Sequence, residues 1–554
     1  MKILIEGHTY QESLIKDICG DFEIPINGLI KVSKIGYYFN PSINDCVVCL
    51  PKIVIDSNGT SVLGGLTAEE LINVFSVEST LNDIQKDFVQ SFSLWSYRTI
   101  STYARLNPQS SIISHASSSV ITSEEEAEGT LLDIILAIIR FYNRNKDYFI
   151  YIIKNLHSGY NRINWRKTIS SKEPVVQDGV PIYFDVVNRK KLINFDEELM
   201  VIFYSILNYI SNTLGLIVST ECNYDLITGA QFEAYMDGLG QTRLRAIKYK
   251  YFSDKDLELW KLCNAFFEKT SSIQEAHNIN DYLLVSNFQN VFEAMIDALI
   301  SDNDLPDLLK NQEDGKIVDH IFKYKSPIDG KDIYYIGDSK YYSIGSKIGD
   351  NSIYKQFTYA KNIIQYHFIQ SRNAHSDNIR YRDELTEGYN FTPNFFISAY
   401  VPDSLTYEST KLKPRKIDDA KHRLFHFSNR LFDRDTLWLT HFDINLLFIM
   451  MLYAQNDTAE QSAFKNNFIQ RVWSAFRFML FSKYTFYKVE PKNRNIKTFV
   501  KDFFYLLNGK IYSDSNHTSL YLALETTSKE NNDILEKVQQ HAQIKLCSLS
   551  DISK

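Results

Sequence analysis

The sequence contains little of what extracellular, disordered or histone-like proteins require. Its 554 residues include only 6 Cys, 21 Gly and 12 Pro, and Gly and Pro together reach about half their usual share. So few cysteines exclude a disulfide scaffold and fit a reducing compartment. The low Gly and Pro content argues against long low-complexity linkers. A formal net charge of −7 excludes binding of nucleic acid through overall positive charge, but it permits a local basic channel.

Long apolar runs are also missing. The three most apolar stretches, 131–142, 199–210 and 446–453, are shorter than the about 18 residues of a membrane span or are interrupted by Asp, Arg or Asn. The segment Met1-Lys-Ile-Leu-Ile-Glu6 reaches a charge before a signal-peptide core can form. We therefore expect a soluble, cytoplasmic protein in which these stretches are buried helices.

Hydrophobic residues make up 44% of the chain and aromatic residues 14%, so the chain can bury large cores. Its length predicts about two to four domains. Local patterns predict an α/β multidomain protein with a strand-rich region over 1–120, a mainly helical region over 121–280, a mixed region over 281–402 and a helical region over 403–554.

Cys46 and Cys49 form a Cys-x-x-Cys motif with two possible interpretations. Both lie in the apolar run Cys46-Val-Val-Cys-Leu50, and no second Cys or His pair follows at zinc spacing. A buried strand is the favoured interpretation, and a metal or redox role is the alternative.

The mixed region contains the residues that could carry chemistry. A helical face that includes Phe288 and Phe292 carries Glu293 near its edge, and a predicted strand over 316–322 carries Asp319. A second predicted strand over 333–342 carries Asp338 and Lys340, which are two residues apart and therefore point to the same face. A helix over 352–368, with Gln356, and a buried strand over 394–401 follow.

This set suits metal-assisted hydrolysis of phosphodiester bonds. Asp319 and Asp338 would supply hard oxygen ligands to Mg²⁺, with Mn²⁺ as a substitute, and Lys340 would orient water or stabilise the charge on the phosphate. Glu293 would hold a metal-bound water or a second ion. Asp297, one helical turn later, is the alternative to Glu293.

Acidic-x-basic triplets are common, so the Asp338–Lys340 triplet alone is weak. Asp314-Gly-Lys316, Asp329-Gly-Lys331 and Glu490-Pro-Lys492 also match, but their middle Gly or Pro favours turns. Asp338 and Lys340 are instead embedded in an apolar strand. The alternative is an edge strand whose Asp and Lys simply face water.

The order of helix with Glu, strand with Asp, strand with Asp-x-Lys, helix with Gln and buried strand resembles the core of the PD-(D/E)XK nuclease superfamily. The first acidic strand residue here is Asp319 without a preceding Pro, which departs from the family pattern. The resemblance implies a mixed central sheet flanked by helices, with Glu293, Asp319, Asp338, Lys340 and Gln356 as catalytic residues. The metal ligands among them would be Asp319, Asp338 and Glu293.

Outside that core, Gly36-Tyr-Tyr-Phe-Asn-Pro41 and Cys46-Val-Val-Cys-Leu-Pro-Lys-Ile-Val-Ile-Asp56 resemble the N-terminal signature of LlaJI-type restriction endonucleases, which are relatives of McrBC-type systems. The resemblance implies a type II/IV-like endonuclease that cleaves double-stranded DNA in anti-phage defence. It also implies a separately encoded McrB-like AAA+ NTPase as partner, since this sequence has no Gly-x-x-x-x-Gly-Lys-Ser/Thr loop. The recognition site, a requirement for methylated DNA and the formation of a homo-oligomer stay open.

Contact with DNA requires local positive charge. A basic cluster with Phe425, His426 and Phe427 follows the proposed core, and its predicted DNA-binding residues are Lys413, Arg415, Lys416, Lys421 and Arg423. Interleaved acidic residues, among them Asp418 and Asp433, leave a salt-bridged surface as an equal alternative. For a second group, Arg243, Arg245, Lys248 and Lys250, the salt-bridged interpretation is favoured.

Two other functions compete with restriction. The same core could serve DNA repair or a defence system that has no NTPase. It could also be an inactive remnant that acts as a DNA-binding or assembly module, although a complete acid-acid-Lys set argues against decay.

Overall fold

The computed structural model describes residues 1–547 with several gaps. The undescribed residues within this range are 57–59, 64, 77–78, 116–128, 147–151, 157–161, 193–197, 213–223, 252, 277–278, 343–347, 372–378, 403–412, 415–422, 425–427 and 515. Among the helices of the described residues, none combines the length and the apolar character that a membrane crossing needs.

The N-terminal region is built on a five-stranded sheet with the order β1-β5-β4-β12-β6. The elements up to β6 are β1 (Lys2–Ile5), β2 (Thr9–Gln11), α1 (Glu12–Cys19), β3 (Leu29–Lys31), β4 (Ile35–Asn40), β5 (Asp45–Leu50), α2 (Ala68–Leu71), α3 (Asp83–Leu106) and β6 (Ile113–His115). Cys46 and Cys49 lie buried on β5, which confirms the strand interpretation, and burial raises the pKa of the Cys46 thiol to about 12. The strand-rich prediction missed α3, a helix of 24 residues.

The region from 131 to 276, for which 121–280 was predicted to be mainly helical, contains six α-helices and five short strands among its described residues. Its elements are α4 (Leu131–Arg144), β7 (Ile152–Leu156), β8 (Arg162–Ile163), α5 (Trp165–Ser171), β9 (Val175–Gln177), β10 (Val180–Ile182), β11 (Asn188–Leu192), α6 (Glu198–Asn212), α7 (Ala230–Ala234), α8 (Gly240–Ile247) and α9 (Asp254–Ala276). The Thr130 side chain and Asp133 form a capping box that begins α4, and the apolar face of α4 packs against α9. The cap expected at Asp196 for α6 lies outside the described residues.

The mixed region contains every element that its sequence predicts. These elements are β12 (Asp281–Val285), α10 (Phe288–Ile300), α11 (Asp307–Lys310), β13 (His320–Lys325), β14 (Asp332–Lys340), α12 (Asp350–Ser371) and β15 (Pro393–Tyr400). The strand predicted from residue 316 begins only at His320, because a turn closes residues 312–316: the backbone N–H of Gln312 donates to the carbonyl of Lys316.

The C-terminal region returns strands to two sheets. Its elements are β16 (Lys413–Pro414), β17 (Arg423–Leu424), β18 (Leu437–Asn445), α13 (Leu446–Gln455), α14 (Thr458–Lys483), β19 (Tyr484–Pro491), α15 (Ile496–Asp502), α16 (Phe504–Leu507), β20 (Ile511–Ser513), β21 (Leu520–Glu525), α17 (Asn531–Gln539) and β22 (Ala542–Leu546). The prediction of a helical region was wrong for the four-stranded sheet β20-β21-β19-β22. No turn residue separates α14 from β19, so the helical period of α14 concealed the alternation of the strand.

The central sheet has the order β13-β14-β15-β18-β16, with β17 also pairing with β18. β13 is antiparallel to β14, whereas β14, β15 and β18 are parallel. On one face of this sheet, Phe468 of α14 packs against Phe322 and Phe395. The helix α12 also contacts the sheet, at β14. Because helices cover the sheet, nearly every residue of β14 is buried.

Strand pairing crosses two of the predicted domain boundaries. β12 lies between β4 and β6 of the N-terminal sheet, and β18 extends the central sheet. At the first crossing, a Cβ on Gly36 would lie 2.2 Å from the carbonyl oxygen of Leu283, so only glycine fits there. The division into four domains itself stays a prediction.

Candidate active site

Asp319 and Asp338 face each other across β13 and β14. The antiparallel register pairs His320 with Gly337, so the next position places Asp319 opposite Asp338. The backbone N–H of Ser339 also points to Asp319 Oδ2, at 3.4 Å. The pairing of the strands thus brings together two carboxyl groups that are 19 residues apart in the sequence.

The electrostatics of this pair are unfavourable without a cation. Burial raises the pKa of Asp319 well above its usual range, and the hydrogen bond to Asp338 and the charges of Asp338 and Glu293 raise it further. Lys340 opposes the shift only partly. In the absence of a metal ion, the pair therefore favours a proton on Asp319.

Lys340 lies on the same face of β14 as Asp338, as the two-residue spacing predicts. Both side chains are buried, and Lys340 Nζ forms an ion pair with Asp338 Oδ2. The ammonium group also lies 5.6 Å from the ring centroid of Phe396, which pairs with Asp338 on the neighbouring β15. This burial argues against an edge strand whose Asp and Lys simply face water.

Glu293 and Asp297 lie one turn apart on α10, and the structure gives them different surroundings. The charge of Glu293 acts on Asp319, and Glu293 Oε1 accepts a hydrogen bond of 2.6 Å from Gln289 Nε2. Asp297 instead pairs with Lys310 and accepts a hydrogen bond of 2.6 Å from Ser301 Oγ. Of the two alternatives, Glu293 is therefore the one whose charge raises the pKa of Asp319.

The helix α12 contributes Gln356 and Tyr359. Gln356 is fully buried, and neither of its amide atoms has a hydrogen-bond partner among the described residues. Burial raises the pKa of Tyr359 to about 12, helped by the charges of Asp319 and Asp338. Tyr359 thus keeps its proton beside the carboxyl pair and was not predicted as a site residue, although its place one turn after Gln356 could have indicated it.

Gln289 is a second site residue that the prediction missed. Its side chain lies between Glu293 and the end of β14, where it contacts the backbone of Ser339 and Tyr341. The signal for it was available, since a polar residue four positions before Glu293 lies on the same helical face.

Most of the predicted DNA-binding residues cannot be placed. Arg415, Lys416 and Lys421 lie outside the described residues, and only the backbones of Lys413 and Arg423 are described, in β16 and β17. The second basic group has protein partners: Arg243 forms an ion pair of 2.6 Å with Glu198, and Lys248 lies 4.5 Å from the ring centroid of Trp260. These contacts support the salt-bridged interpretation of that group.

The two facing carboxyl groups supply oxygen donors of the kind that could hold Mg²⁺. Within the described part of the chain, no three His, Cys, Asp or Glu side chains form a ready-made metal cluster. Mg²⁺ requires fewer protein ligands, because one or two carboxylates with waters and substrate phosphates suffice. Asp319 and Asp338 are such a carboxylate pair, and their mutual repulsion is what a divalent cation would relieve.

Comparisons with known proteins identify a family and give a match to a solved structure. The structure, a half-complex from the tetradecameric assembly of Thermococcus gammatolerans McrB AAA+ hexamers with bound McrC, is 9% identical and covers 84% of this chain and 99% of that chain. Its TM-score of 0.25 is too low to carry an argument. No curated protein matches the chain.

The sequence profile described as LlaJI restriction endonuclease matches residues 74–389. The match includes Glu293, Asp319, Asp338, Lys340 and Gln356, whereas the N-terminal signature at 36–56 lies outside it. Because the matched segment spans more than half of the sequence, the chain belongs to the LlaJI restriction endonuclease family.

Proposed function

We propose that this restriction endonuclease is Mg²⁺-dependent, that its central sheet is a PD-(D/E)XK core and that Asp319, Asp338 and Lys340 form its cleavage centre. The observation that carries the proposal is the pair of facing carboxyl groups with a buried lysine two residues further along the same strand. A protein core stabilises charges by pairing them with opposite charges, whereas this site leaves two acidic groups against one cation.

Asp319 and Asp338 would hold the metal ion, which when bound polarises a phosphate oxygen and lowers the pKa of a water molecule. Lys340 would stabilise the negative charge that develops on the phosphate oxygens. Glu293 would accept a hydrogen bond from water, and the protonated Tyr359 would donate one. The burial of Asp338 and Lys340 excludes bulk water and strengthens these interactions.

The partners in this proposal are double-stranded DNA and a separate McrB-like AAA+ NTPase. Support comes from the family and from the sequence, which has no phosphate-binding loop of its own. Lys413, Arg415, Lys416, Lys421 and Arg423 would neutralise the phosphates that flank the cut site.

The test is plasmid cleavage with Mg²⁺ in the presence of a McrB-like AAA+ NTPase. We expect Asp338→Asn and Lys340→Ala each to lower the single-turnover rate by about 100- to 1,000-fold. Glu490→Gln and Lys492→Ala are the matched controls, because they change another acidic-x-basic triplet in the C-terminal sheet. Wild-type cleavage by either site variant would contradict the assignment.

The same assay separates the competing functions. Cleavage that proceeds without any NTPase would favour a repair nuclease or a simpler defence enzyme. If the wild-type protein never cleaves DNA, yet binds it with the same dependence on salt as Asp338→Asn, the chain is a DNA-binding or assembly module.

A further inference from the structure

Gln289, near the start of α10, uses both atoms of its side-chain amide. Its Nε2 donates to Glu293 Oε1 at 2.6 Å and to the carbonyl oxygen of Ser339 at 2.9 Å. Its Oε1 accepts the backbone N–H of Tyr341 at 2.9 Å. One side chain thus contacts a candidate site residue and the two backbone groups on either side of Lys340.

These contacts replace a missing strand. β13 pairs with β14 as far as Gly337, and within the described part of the chain no strand pairs with the β13 side of β14 at Ser339 or Tyr341. A parallel neighbouring strand would donate a hydrogen bond to one carbonyl oxygen of β14 and accept one from the N–H group two residues later. The side-chain amide of Gln289 makes both of these hydrogen bonds, with Ser339 and Tyr341. The backbone direction at Lys340 is therefore fixed by a side chain of α10.

Tyr341, at the end of the segment 339–341, is hydrogen-bonded to the N-terminal region. The hydroxyl of Tyr341 donates to Glu6 Oε2 at 2.6 Å and accepts the backbone N–H of Lys52 at 3.0 Å. Tyr341 is therefore held by its side chain on one side and through Gln289 on the other. Both ends of the segment 339–341 are thus held in place. Loss of Gln289 should therefore change the orientation of the Lys340 and Glu293 side chains more than it changes the overall fold.

We propose that Gln289 is a positioning residue of the cleavage centre, which orients Glu293 and the backbone of Lys340 without touching DNA. This inference rests on the proposed nuclease function. It adds a residue that neither the carboxyl pair nor the acidic-x-basic triplet indicates.

The experiment compares Gln289→Leu, which removes the amide at similar size, with Asn290→Ala at the exposed neighbouring position of the same helix. Three quantities are measured: single-turnover cleavage, binding of Mn²⁺ to the metal-free protein by electron paramagnetic resonance, and the melting temperature. We expect Gln289→Leu to lower cleavage and Mn²⁺ affinity by about 10- to 100-fold, as for other residues that orient metal ligands. Asn290→Ala should retain both.

A double-mutant cycle separates positioning from a general structural effect. If Gln289 acts partly through Glu293, Gln289→Leu should lower Mn²⁺ affinity less in a Glu293→Ala background than in the wild type. Should Gln289→Leu fail to fold, Gln289→Glu serves instead, since it keeps the acceptor for Tyr341 and loses both donated bonds. Full additivity, or the behaviour of Asn290→Ala, would overturn the positioning role.

The outcome is distinguishable from a failure of the proposed function. If Asp338→Asn cleaves DNA like the wild type, the cleavage centre itself is misassigned. If Asp338→Asn is inactive while Gln289→Leu retains full cleavage and Mn²⁺ affinity, only the role of Gln289 is overturned.

Discussion

Asp297 on α10 and the Asp319–Asp338 pair at β13 and β14 belong to the same mixed region, but their surroundings shift the pKa values of Asp297 and Asp319 in opposite directions. Partial burial alone would raise the pKa of Asp297, yet its interactions with His320, Lys310 and Ser301 lower that pKa to about 2. For Asp319, burial and the neighbouring acidic groups shift the pKa upward. Asp297 thus accepts hydrogen bonds from neighbouring donors, while Asp319 lies beside the carboxyl group of Asp338.

The difference distinguishes an acidic group that stabilises the fold, Asp297, from a carboxyl pair whose surroundings are typical of a functional site. Lys310 and Ser301 donate hydrogen bonds to Asp297, His320 Nδ1 lies 3.6 Å from Asp297 Oδ1, and His320 Nε2 forms a hydrogen bond of 2.6 Å with Ser339 Oγ. That network ties α10 to β13 and β14 and stabilises the fold. The carboxyl pair is compensated only partly, by Lys340, and acidic groups in this condition are typical of functional sites.

The largest loss of stability should come from substitution of Asp297, whose charge is compensated. Asp297→Ala leaves two donors, Lys310 Nζ and Ser301 Oγ, without their acceptor, so we expect a loss of about 1–3 kcal/mol, seen as a lower melting temperature. The control is Asp304→Ala, which removes an exposed carboxylate. Equal melting temperatures for the two variants would show that the network around Asp297 contributes nothing.

The carboxyl pair should give an effect of the opposite sign. The folded state raises the pKa of Asp319, so the folded protein in EDTA loses stability as the pH rises above the unfolded value of about 4. Asp319→Asn removes this penalty, and its melting temperature in EDTA should exceed that of the wild type at about pH 8 and match it near pH 4.

Mg²⁺ sharpens this test. It should raise the melting temperature of the wild type, because it binds the folded state, and leave Asp319→Asn nearly unchanged. A wild type that is as stable as Asp319→Asn in EDTA at every pH would break the comparison between the two acidic groups.

The smallest effect on stability should come from Glu293, one turn from Asp297 on the same helix. Glu293→Gln keeps an oxygen that accepts from Gln289, so we expect a change within about 0.5 kcal/mol. Cleavage should nevertheless fall by about 10-fold or more. If Asp297→Asn lowers cleavage as strongly while it remains folded, Asp297 and not Glu293 serves the site.

Local patterns were sufficient for much of the fold. The apolar spacing in 131–142 and 199–210 predicted α4 and α6, and the two-residue spacing placed Asp338 and Lys340 on one face. The sheet after α14 was missed because strand alternation is short and easily overridden by an adjacent helical pattern. The partners of β12 and β18 were not predictable, since pairing between distant strands leaves no local signal.

The sequence by itself determined which residues were able to form the site: an acidic group on one predicted strand, an acid and a lysine two apart on another, and acids on the preceding helix. Only the tertiary structure decided that Asp297 is neutralised by donors and that Asp319 meets Asp338. The reason is physical, because desolvation and Coulomb energies depend on distances between side chains that lie far apart along the chain. The alternation of side chains along a strand determines which residues share a face. The register of the neighbouring strand determines which residues that face contacts.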